Sequence, residues 1–322
     1  MKLSSQKLME VGAETGFKPD ALEKVVRLLD LLNHIFESDY LKTRLVLKGG
    51  TALNLFIFDV PRLSVDIDLN YIGAVDVEKM QAERPVVEAE LLAICRRCDL
   101  SISEIPSDDH AGGKWRLAYQ TAFGGTSSLE LDLNFMHRVV FQGVSALDSR
   151  TLGSYQARQI PVLDTTELAA GKISALLTRR ASRDLFDTSR LHAYVNPQDE
   201  QFRLIHVLYG AMNPRADWRN VGVENIAGDL KDLKRQLIPV LRVRDLAAKK
   251  DDEQMLSNMI DDCKKFVAPL FPLTATEREF IATLRDKGSI AAKLLTDNQD
   301  LIEKISKHPG LLRRAAGARQ KQ

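Results

Sequence analysis

Cysteine is scarce in this sequence of 322 residues, which contains three. The single CxxC motif, Cys95 to Cys98, has no second pair that would complete a four-ligand zinc site, so no zinc or redox role is predicted for it. The sequence also lacks an amino-terminal signal arrangement and any apolar run long enough to cross a membrane. These absences predict a cytoplasmic protein with no membrane partner.

Neither sign of charge dominates, because 45 lysines and arginines are balanced by 44 acidic residues. The distribution is nevertheless uneven, since no acid follows Glu303. The cations that follow it are Lys304, Lys307, Arg313, Arg314, Arg319 and Lys321. Such a tail is often solvated and disordered, and it could equally supply sequence-independent contacts to RNA phosphates. The sequence leaves both interpretations open.

The most informative segment covers residues 47–69 and reads LKGGTALNLFIFDVPRLSVDIDL. Its last part, residues 63–69, alternates between apolar and small or acidic residues, which predicts a half-buried strand. The side chains predicted to face outward are those of Ser64, Asp66 and Asp68. At a rise of about 3.3 Å per residue the two aspartate Cα atoms lie roughly 6.6 Å apart, close enough to share divalent ions.

A glycine pair lies just upstream of this strand. Gly49 and Gly50 allow the backbone to approach a ligand closely, and Thr51 is predicted to cap the helix that follows. The free N–H groups of that helix would form an anion site suited to a triphosphate. Further residues that could contact the phosphates are Lys48, Arg62 and Ser64.

A second alternating segment predicts a strand over residues 128–135, with Glu130, Asp132 and Asn134 facing outward. If this strand pairs beside the first, Asp132 joins Asp66 and Asp68. Three carboxylates could hold two Mg²⁺ ions about 3.5 to 4 Å apart, which would stabilise the attacking and leaving oxygens of a phosphoryl displacement.

The third block of interest begins at Asp164, which opens a capping arrangement for a helix. One unbroken helix would place Lys172 and Asp187 about 22 Å apart along its axis, too far to share one substrate. A common site therefore requires a turn near residues 180–182, where Ser182 could cap a second helix.

These blocks resemble a known family. The order of a Gly-Gly pair, an Asp-x-Asp motif and a lone carboxylate on a later strand resembles the pattern of the DNA polymerase β-type nucleotidyltransferase superfamily. More narrowly, three segments in a fixed order are similar to the AbiEii/AbiGii-type toxins, including the MenT-like members. They read KGGTAL, RLSVDIDL and ELAAGKISALLTRRASRDLFD. The resemblance covers residues 44–192. It implies an Mg²⁺-dependent enzyme that transfers a nucleotide from an NTP to an acceptor hydroxyl, in several members the 3′ end of tRNA, and a cognate antitoxin.

The resemblance also implies roles for single residues. Asp66 and Asp68 would bind the metal ions, and Asp132 would complete the site and help to activate the hydroxyl. Lys172 would act as a phosphate or transition-state cation, together with an aspartate of the RDLFD segment. Asp184 and Asp187 remain alternatives for that aspartate. Without the resemblance, these charges would suit an ordinary helix surface with internal ion pairs.

The predicted fold class is α+β. A polymerase β-type nucleotidyltransferase domain, with a small mixed sheet flanked by helices, would occupy residues 1–160 and include an amphipathic helix at 21–41. A helical domain with a basic tail would follow over residues 161–322. Its predicted helices cover residues 167–193, 200–212, 224–245, 251–268, 275–286 and 289–306.

Three other functions remain alternatives. An antibiotic nucleotidyltransferase of the aminoglycoside type shares the three carboxylates, although its cationic acceptor would call for an acidic cleft. A protein-modifying NTP transferase or kinase could use the same NTP site. A catalytically idle binding protein could retain the fold, although it would have no chemical need for clustered carboxylates.

Overall fold

The computed structural model describes residues 3–104, 111–247 and 251–320. The chain forms two compact units. The first comprises Met1–Arg138, Val144–Leu163 and Arg235–Lys250, and the second comprises Val139–Gly143, Asp164–Lys234 and Asp251–Gln322. The chain therefore passes between the units more than once, whereas the predicted division has a single boundary near residue 160.

A mixed sheet of seven strands forms the centre of the first unit. Its strands are β1 (Leu45–Lys48), β2 (Asp66–Tyr71), β3 (Ser101–Glu104), β4 (Gly112–Gln120), β5 (Thr126–Asn134), β6 (Val144–Leu147) and β7 (Ile160–Leu163). They lie in the order β3-β4-β5-β2-β1-β7-β6. The pairs β2–β5 and β1–β7 are parallel, and the other neighbours are antiparallel.

The helices complete both units. They are α1 (Ser5–Thr15), α2 (Pro19–Glu37), α3 (Gly49–Thr51), α4 (Val77–Arg97), α5 (Thr165–Arg179), α6 (Ser182–Thr188), α7 (Glu200–Met212), α8 (Leu230–Asp232), α9 (Val243–Ala247), α10 (Asp252–Val267), α11 (Ala275–Asp286), α12 (Gln299–Lys307) and α13 (Pro309–Arg319). A π-helical stretch, Ala52–Ile57, continues α3. Helices α1 to α4 and α9 belong to the first unit. Helix α2 packs against β5 and β7, which confirms the predicted amphipathic helix.

The strand that carries the Asp-x-Asp motif begins later than predicted. Its ladder starts at Asp66 instead of residue 63, because Arg62 forms an isolated bridge with Leu241 and the Leu63 N–H donates to the Val240 carbonyl. The alternation predicted for residues 63–65 is therefore wrong. Ser64 is buried, whereas the alternation from Asp66 onward matches the prediction.

Only some of the helices predicted for the carboxyl-terminal half of the chain match the structure. Helices α7, α10 and α11 match the predicted segments closely. The predicted helix over residues 224–245 is wrong, because the chain there is helical only over residues 223–225, 230–240 and from 243 onward, and Asp229 caps the second of these stretches. The predicted helix over residues 289–306 is also wrong in its first half, since Asn298 caps a helix that begins at Gln299. None of the helices in the described residues is long and apolar enough to cross a membrane.

The basic carboxyl-terminal segment is ordered as helix. Helix α13 begins at Pro309, and Leu311 and Ala315 on one of its faces are buried. The solvated, disordered tail predicted as one alternative is therefore wrong for the residues up to 320. Lys321 lies outside the described residues.

Candidate active site

Three neighbouring strands of the first unit bring the acidic side chains together. Asp68 of β2 lies opposite Asp132 of the parallel strand β5, and Lys48 of β1 lies opposite Asp68 on the other side. Adjacent strands are about 4.8 Å apart, so these residues form one row across the sheet. Asp66 lies two residues before Asp68 and projects from the same face. The structure therefore places Asp66, Asp68 and Asp132 on one face.

Gly49 makes room for one of these carboxylates. Its backbone has a φ of 74°, in the left-handed region that favours glycine. A Cβ atom built on Gly49 would lie 2.1 Å from Oδ2 of Asp68. The Asp68 carboxylate thus lies directly against the backbone where α3 begins, and any side chain at position 49 would displace it. Gly50, the next residue of α3, is half-buried.

Thr51 has a different role from the one predicted. Helix α3 begins at Gly49 with Lys48 in the N-cap position, and no side chain caps it. The prediction that Thr51 caps this helix is therefore wrong, because the helix starts two residues earlier. The Thr51 side chain is fully buried, and its hydroxyl donates to the backbone carbonyl of Asp66. Thr51 consequently ties α3 to Asp66, the first residue of β2.

Two further candidates for phosphate contacts are buried. Ser64 is 4% exposed and Arg62 is 2% exposed. The Arg62 guanidinium donates to the Leu63 carbonyl at 2.8 Å. Their phosphate contacts stay predictions, and burial weighs against them. Lys48, in contrast, is only half-buried and lies in the row of acidic residues.

The surroundings of Asp132 shift the pKa of its carboxyl group. Burial raises this pKa, and the nearby Asp68 and Glu130 carboxylates raise it further. The ammonium groups of Lys48 and Lys114 oppose the shift, but the net result is a raised pKa. Lys114 of β4 lies 3.9 Å from Asp132 and 3.6 Å from Glu130. Its proximity could not be predicted, because it depends on the antiparallel register that pairs Lys114 with Asp132.

His137 is a further neighbour that sequence patterns do not indicate. It follows β5, and its backbone N–H donates to the Asn134 side chain at 3.0 Å. Loss of hydration and the nearby Lys48 ammonium lower the pKa of His137 to about 4. The imidazole is therefore neutral at neutral pH. No metal-ligand or catalytic spacing in the sequence distinguishes this histidine from the others.

The third sequence block forms a buried charge cluster in the second unit. The Lys172 ammonium lies 2.9 Å from a carboxylate oxygen of Asp184 and 2.9 Å from one of Asp187. Arg179 also donates to Asp184, at 2.8 Å. Lys172 is 7% exposed, and the two aspartates are 1% and 0% exposed. An ordinary helix surface is thereby excluded. Burial alone would raise the pKa of Asp184, but Lys172 and Arg179 lower it.

The cluster depends on a break between two helices. Arg180 ends α5 with a left-handed conformation, φ 54°, and α6 begins at Ser182. The predicted turn near residues 180–182 is confirmed. Ser182 does not cap α6 as predicted, since Ala181 takes the N-cap position and the Ser182 N–H and hydroxyl both donate to Asp232. Both candidate aspartates contact Lys172, so the structure does not choose between Asp184 and Asp187 for a catalytic role.

Comparison with known protein families decides the family. A family model described as nucleotidyl transferase AbiEii toxin, Type IV TA system, matches residues 30–284, well over half of the chain. The chain belongs to the AbiEii family. The AbiEii protein is accordingly a nucleotidyltransferase toxin, and its family implies a cognate antitoxin. This result confirms the resemblance and extends it on both sides of residues 44–192.

A solved structure supports the fold. The AbiEii chain is similar to MenT4, a nucleotidyltransferase toxin from Mycobacterium tuberculosis H37Rv, with a TM-score of 0.55 and 17% sequence identity. The alignment covers 97% of the AbiEii chain and 99% of MenT4. At this identity the likeness shows the fold, and it confirms the predicted α+β nucleotidyltransferase class. No match was found among curated proteins.

Proposed function

We propose that this AbiEii protein is an Mg²⁺-dependent enzyme that transfers a nucleoside monophosphate from an NTP to the 3′ end of tRNA, with release of pyrophosphate. The observation that carries the proposal is the row formed by Asp68 and Asp132 on adjacent parallel strands, with Asp66 on the same face. The NTP and the metal are expectations for the family, and tRNA is the acceptor that fits the basic charge of α13.

Asp66, Asp68 and Asp132 would hold the metal ions. Mg²⁺ prefers carboxylate oxygens, and the raised pKa of Asp132, to which Asp68 contributes, indicates that these carboxylates repel each other without a cation. Bound Mg²⁺ would neutralise charge on the triphosphate and on the attacking oxygen. Asp132 would in addition help to activate the attacking hydroxyl by accepting its proton.

The start of α3 would bind the triphosphate. Gly49 and Gly50 present backbone without side chains beside Asp68, which lets a phosphate approach closely. Lys48 and Lys114 lie at the two sides of the acidic row and would orient the phosphate oxygens. Thr51 would act indirectly, because its hydroxyl is bonded to Asp66.

The acceptor proposal depends on the charge of α13. Arg313 and Arg319 of this helix are exposed, and no acidic residue follows Glu303 in the sequence. Exposed arginines favour contacts with a phosphate backbone, independent of base sequence. An aminoglycoside acceptor, itself cationic, would be repelled by the same surface.

The decisive experiment incubates the purified protein with total tRNA, Mg²⁺ and each labelled NTP in turn. We expect label in tRNA with at least one NTP, and we expect its loss on chelation of Mg²⁺. Oxidising the terminal ribose of tRNA with periodate beforehand should abolish labelling, because it removes the 3′ hydroxyl. Labelling that survives periodate treatment would refute transfer to the 3′ end.

Variants of the acidic row test the site itself. Asp68→Asn should lower transfer by roughly three orders of magnitude, about 4 kcal/mol of transition-state stabilisation, since it removes one metal ligand. Glu104→Gln on the edge strand β3, where Glu104 forms an exposed ion pair with Arg116 at 3.2 Å, is the matched control and should retain activity. Full activity of Asp68→Asn would eliminate the proposed metal site. Label found in protein instead of tRNA would identify a protein-modifying transferase.

A further inference from the structure

A group of potential metal ligands of another chemical type lies in the first unit, where α2 meets the end of α4. Asp30 and His34 lie one helical turn apart on α2, and Cys98 is the C-cap residue of α4. The ligand atoms of these three side chains all lie within 4.8 Å of one another. His34 Nε2 and Asp30 Oδ1 are separated by 3.9 Å.

The imidazole of His34 is oriented for coordination. Its Nδ1 atom lies 3.1 Å from Oε2 of Glu37, one turn further along α2. This hydrogen bond places the proton on Nδ1 and leaves Nε2, the atom nearer Asp30, as the acceptor. Histidine ligands of metals characteristically donate their other ring nitrogen to a carboxylate in this way.

The Cys98 sulfur is held in place by the end of α4. The backbone N–H of Cys98 donates to the carbonyls of Ile94 and Cys95, each at 3.1 Å, and the residue is 7% exposed. Burial and then the Asp30 carboxylate raise the pKa of this thiol to about 11. A carboxylate beside a sulfur atom is unfavourable for the thiolate alone and favourable once a divalent cation lies between them.

We propose that Asp30, His34 and Cys98 bind a thiophilic divalent cation of the Zn²⁺ class. Thiolate and imidazole ligands select Zn²⁺ over Mg²⁺, which distinguishes this site from the all-oxygen row of Asp66, Asp68 and Asp132. Binding displaces the thiol proton to solvent. The His34 side chain is 47% exposed, so water can occupy the fourth position of a tetrahedral site.

The geometry requires only small movements. Tetrahedral Zn²⁺ with bonds of about 2.0 to 2.3 Å has ligand atoms roughly 3.3 to 3.8 Å apart. The largest separation in the cluster, 4.8 Å, therefore closes by about 1 Å through side-chain rotation. The expectation that the CxxC motif has no metal role is thus revised for one of its cysteines. Cys98 belongs to the cluster and Cys95 does not.

A cobalt titration of the full-length protein tests this site. Co²⁺ replaces Zn²⁺ in tetrahedral sites, and a thiolate ligand gives it an intense near-ultraviolet charge-transfer absorption. The titration contains excess Mg²⁺, which occupies the oxygen ligands of the acidic row. We expect one equivalent of Co²⁺ to develop this absorption and one equivalent of Zn²⁺ to abolish it.

Two variants locate the ligands, and two others serve as controls. Cys98→Ala should remove the charge-transfer absorption, and His34→Gln, at a half-exposed position, should weaken Co²⁺ binding at least about 10-fold. Cys263→Ala, a buried thiol of the second unit, and Asp68→Asn should leave the absorption unchanged. The proposal is overturned if wild-type protein shows no charge-transfer band at saturating Co²⁺, if the band persists in Cys98→Ala, or if His34→Gln binds as tightly as wild type.

Discussion

At the scale of single residues, Gly49 has two constraints that can be separated by experiment. Its φ of 74° disfavours any side chain, and a Cβ atom would overlap the Asp68 carboxylate. Gly124, in the turn between β4 and β5, has a φ of 86° but no atom within 4 Å of its Cβ position. The two glycines therefore share the backbone constraint and differ in the contact with Asp68.

We predict that Gly124→Ala lowers the free energy of unfolding by about 1 kcal/mol, since only the backbone is strained. Gly49→Ala should cost about 2 to 4 kcal/mol and should also abolish nucleotide transfer, because the Asp68 carboxylate must move. Denaturant unfolding and a transfer assay on both variants measure the two effects. Equal activity in the two alanine variants would show that the position of Asp68 does not matter.

At the scale of secondary-structure elements, the junction of α5 and α6 holds a buried charge cluster. Lys172 and Arg179 balance Asp184 and Asp187, so removing one cation leaves uncompensated charge in a buried place. Breaking a buried ion pair by removing one partner is far more costly than the net contribution of the pair.

We predict that Lys172→Met lowers the free energy of unfolding by about 3 to 5 kcal/mol. The double variant Lys172→Met/Asp187→Asn should recover part of this loss, because one unpaired carboxylate disappears. Arg179→Gln is the control and should cost only about 1 kcal/mol, since half of the Arg179 side chain is in contact with solvent. A Lys172→Met protein that is as stable as wild type but inactive would instead favour a purely catalytic role.

Helix α5 also carries a carboxylate with a shifted pKa. Glu167 accepts hydrogen bonds from the Gln142 N–H at 2.7 Å and from the Tyr209 hydroxyl at 3.2 Å. Burial raises its pKa to about 7, although these hydrogen bonds oppose the shift. The protonated form therefore favours the folded state. Its contribution to stability is complete below the unfolded pKa, about 4.3, and is lost as the pH rises through 7.

We predict that Glu167→Gln flattens the pH dependence of unfolding between about pH 4.3 and 7, where wild type loses about 3 to 4 kcal/mol of stability through this group. The glutamine keeps an acceptor oxygen, so the fold should persist. Urea midpoints measured across this pH range are the test, with Asp164→Asn at the start of the same helix as control. An unchanged slope in Glu167→Gln would assign the pH dependence to other groups.

At the scale of the whole molecule, the basic carboxyl-terminal segment combines packing and charge. Ile305 and Leu311 are fully buried, whereas Arg313 and Arg319 are exposed. Truncation from residue 304 would remove the buried apolar side chains together with the exposed arginines, and it would disrupt the second unit. Charge substitution at the exposed positions changes the charge and keeps the buried side chains.

We predict that Arg313→Glu/Arg319→Glu weakens tRNA binding and reduces the slope of log affinity against log salt by about 1 for each phosphate that the protein no longer neutralises. NTP affinity and the melting temperature should stay unchanged. Binding measured at several salt concentrations provides the slopes, and Lys264→Glu/Lys265→Glu on α10 serves as a charge-matched control at other exposed positions. A double variant with wild-type tRNA affinity would exclude α13 as an RNA surface.

Local patterns predicted the elements around the acidic row. Alternation identified β5 from Ser128 to Asn134, and it identified β2 from Asp66 onward. The separation between Lys172 and Asp187 predicted the break between α5 and α6. These predictions succeeded because periodicity and helix geometry are properties of neighbouring residues.

Long-range contacts account for the features that local patterns do not predict. Ser64 is buried because residues 62 and 63 pair with a segment near residue 240, which no local pattern contains. Lys114 reaches Asp132 through strand register, and Cys98 meets His34 through helix packing. The helix predicted over residues 224–245 failed for a local reason, since residues 226–229 are not helical and Asp229 caps a new helical stretch that begins at Leu230.

The pairing of Leu63 with Val240 has a consequence for biosynthesis. The backbone just before Asp66 acquires this partner only after roughly 180 further residues have been made, about 10 to 35 s at 5–20 residues per second. A ribosome-bound chain that ends before residue 240 therefore lacks the backbone partner of Leu63, just before the strand that carries Asp66 and Asp68. Synthesis of this toxin thus includes an interval in which the acidic residues exist but the long-range contact beside them does not.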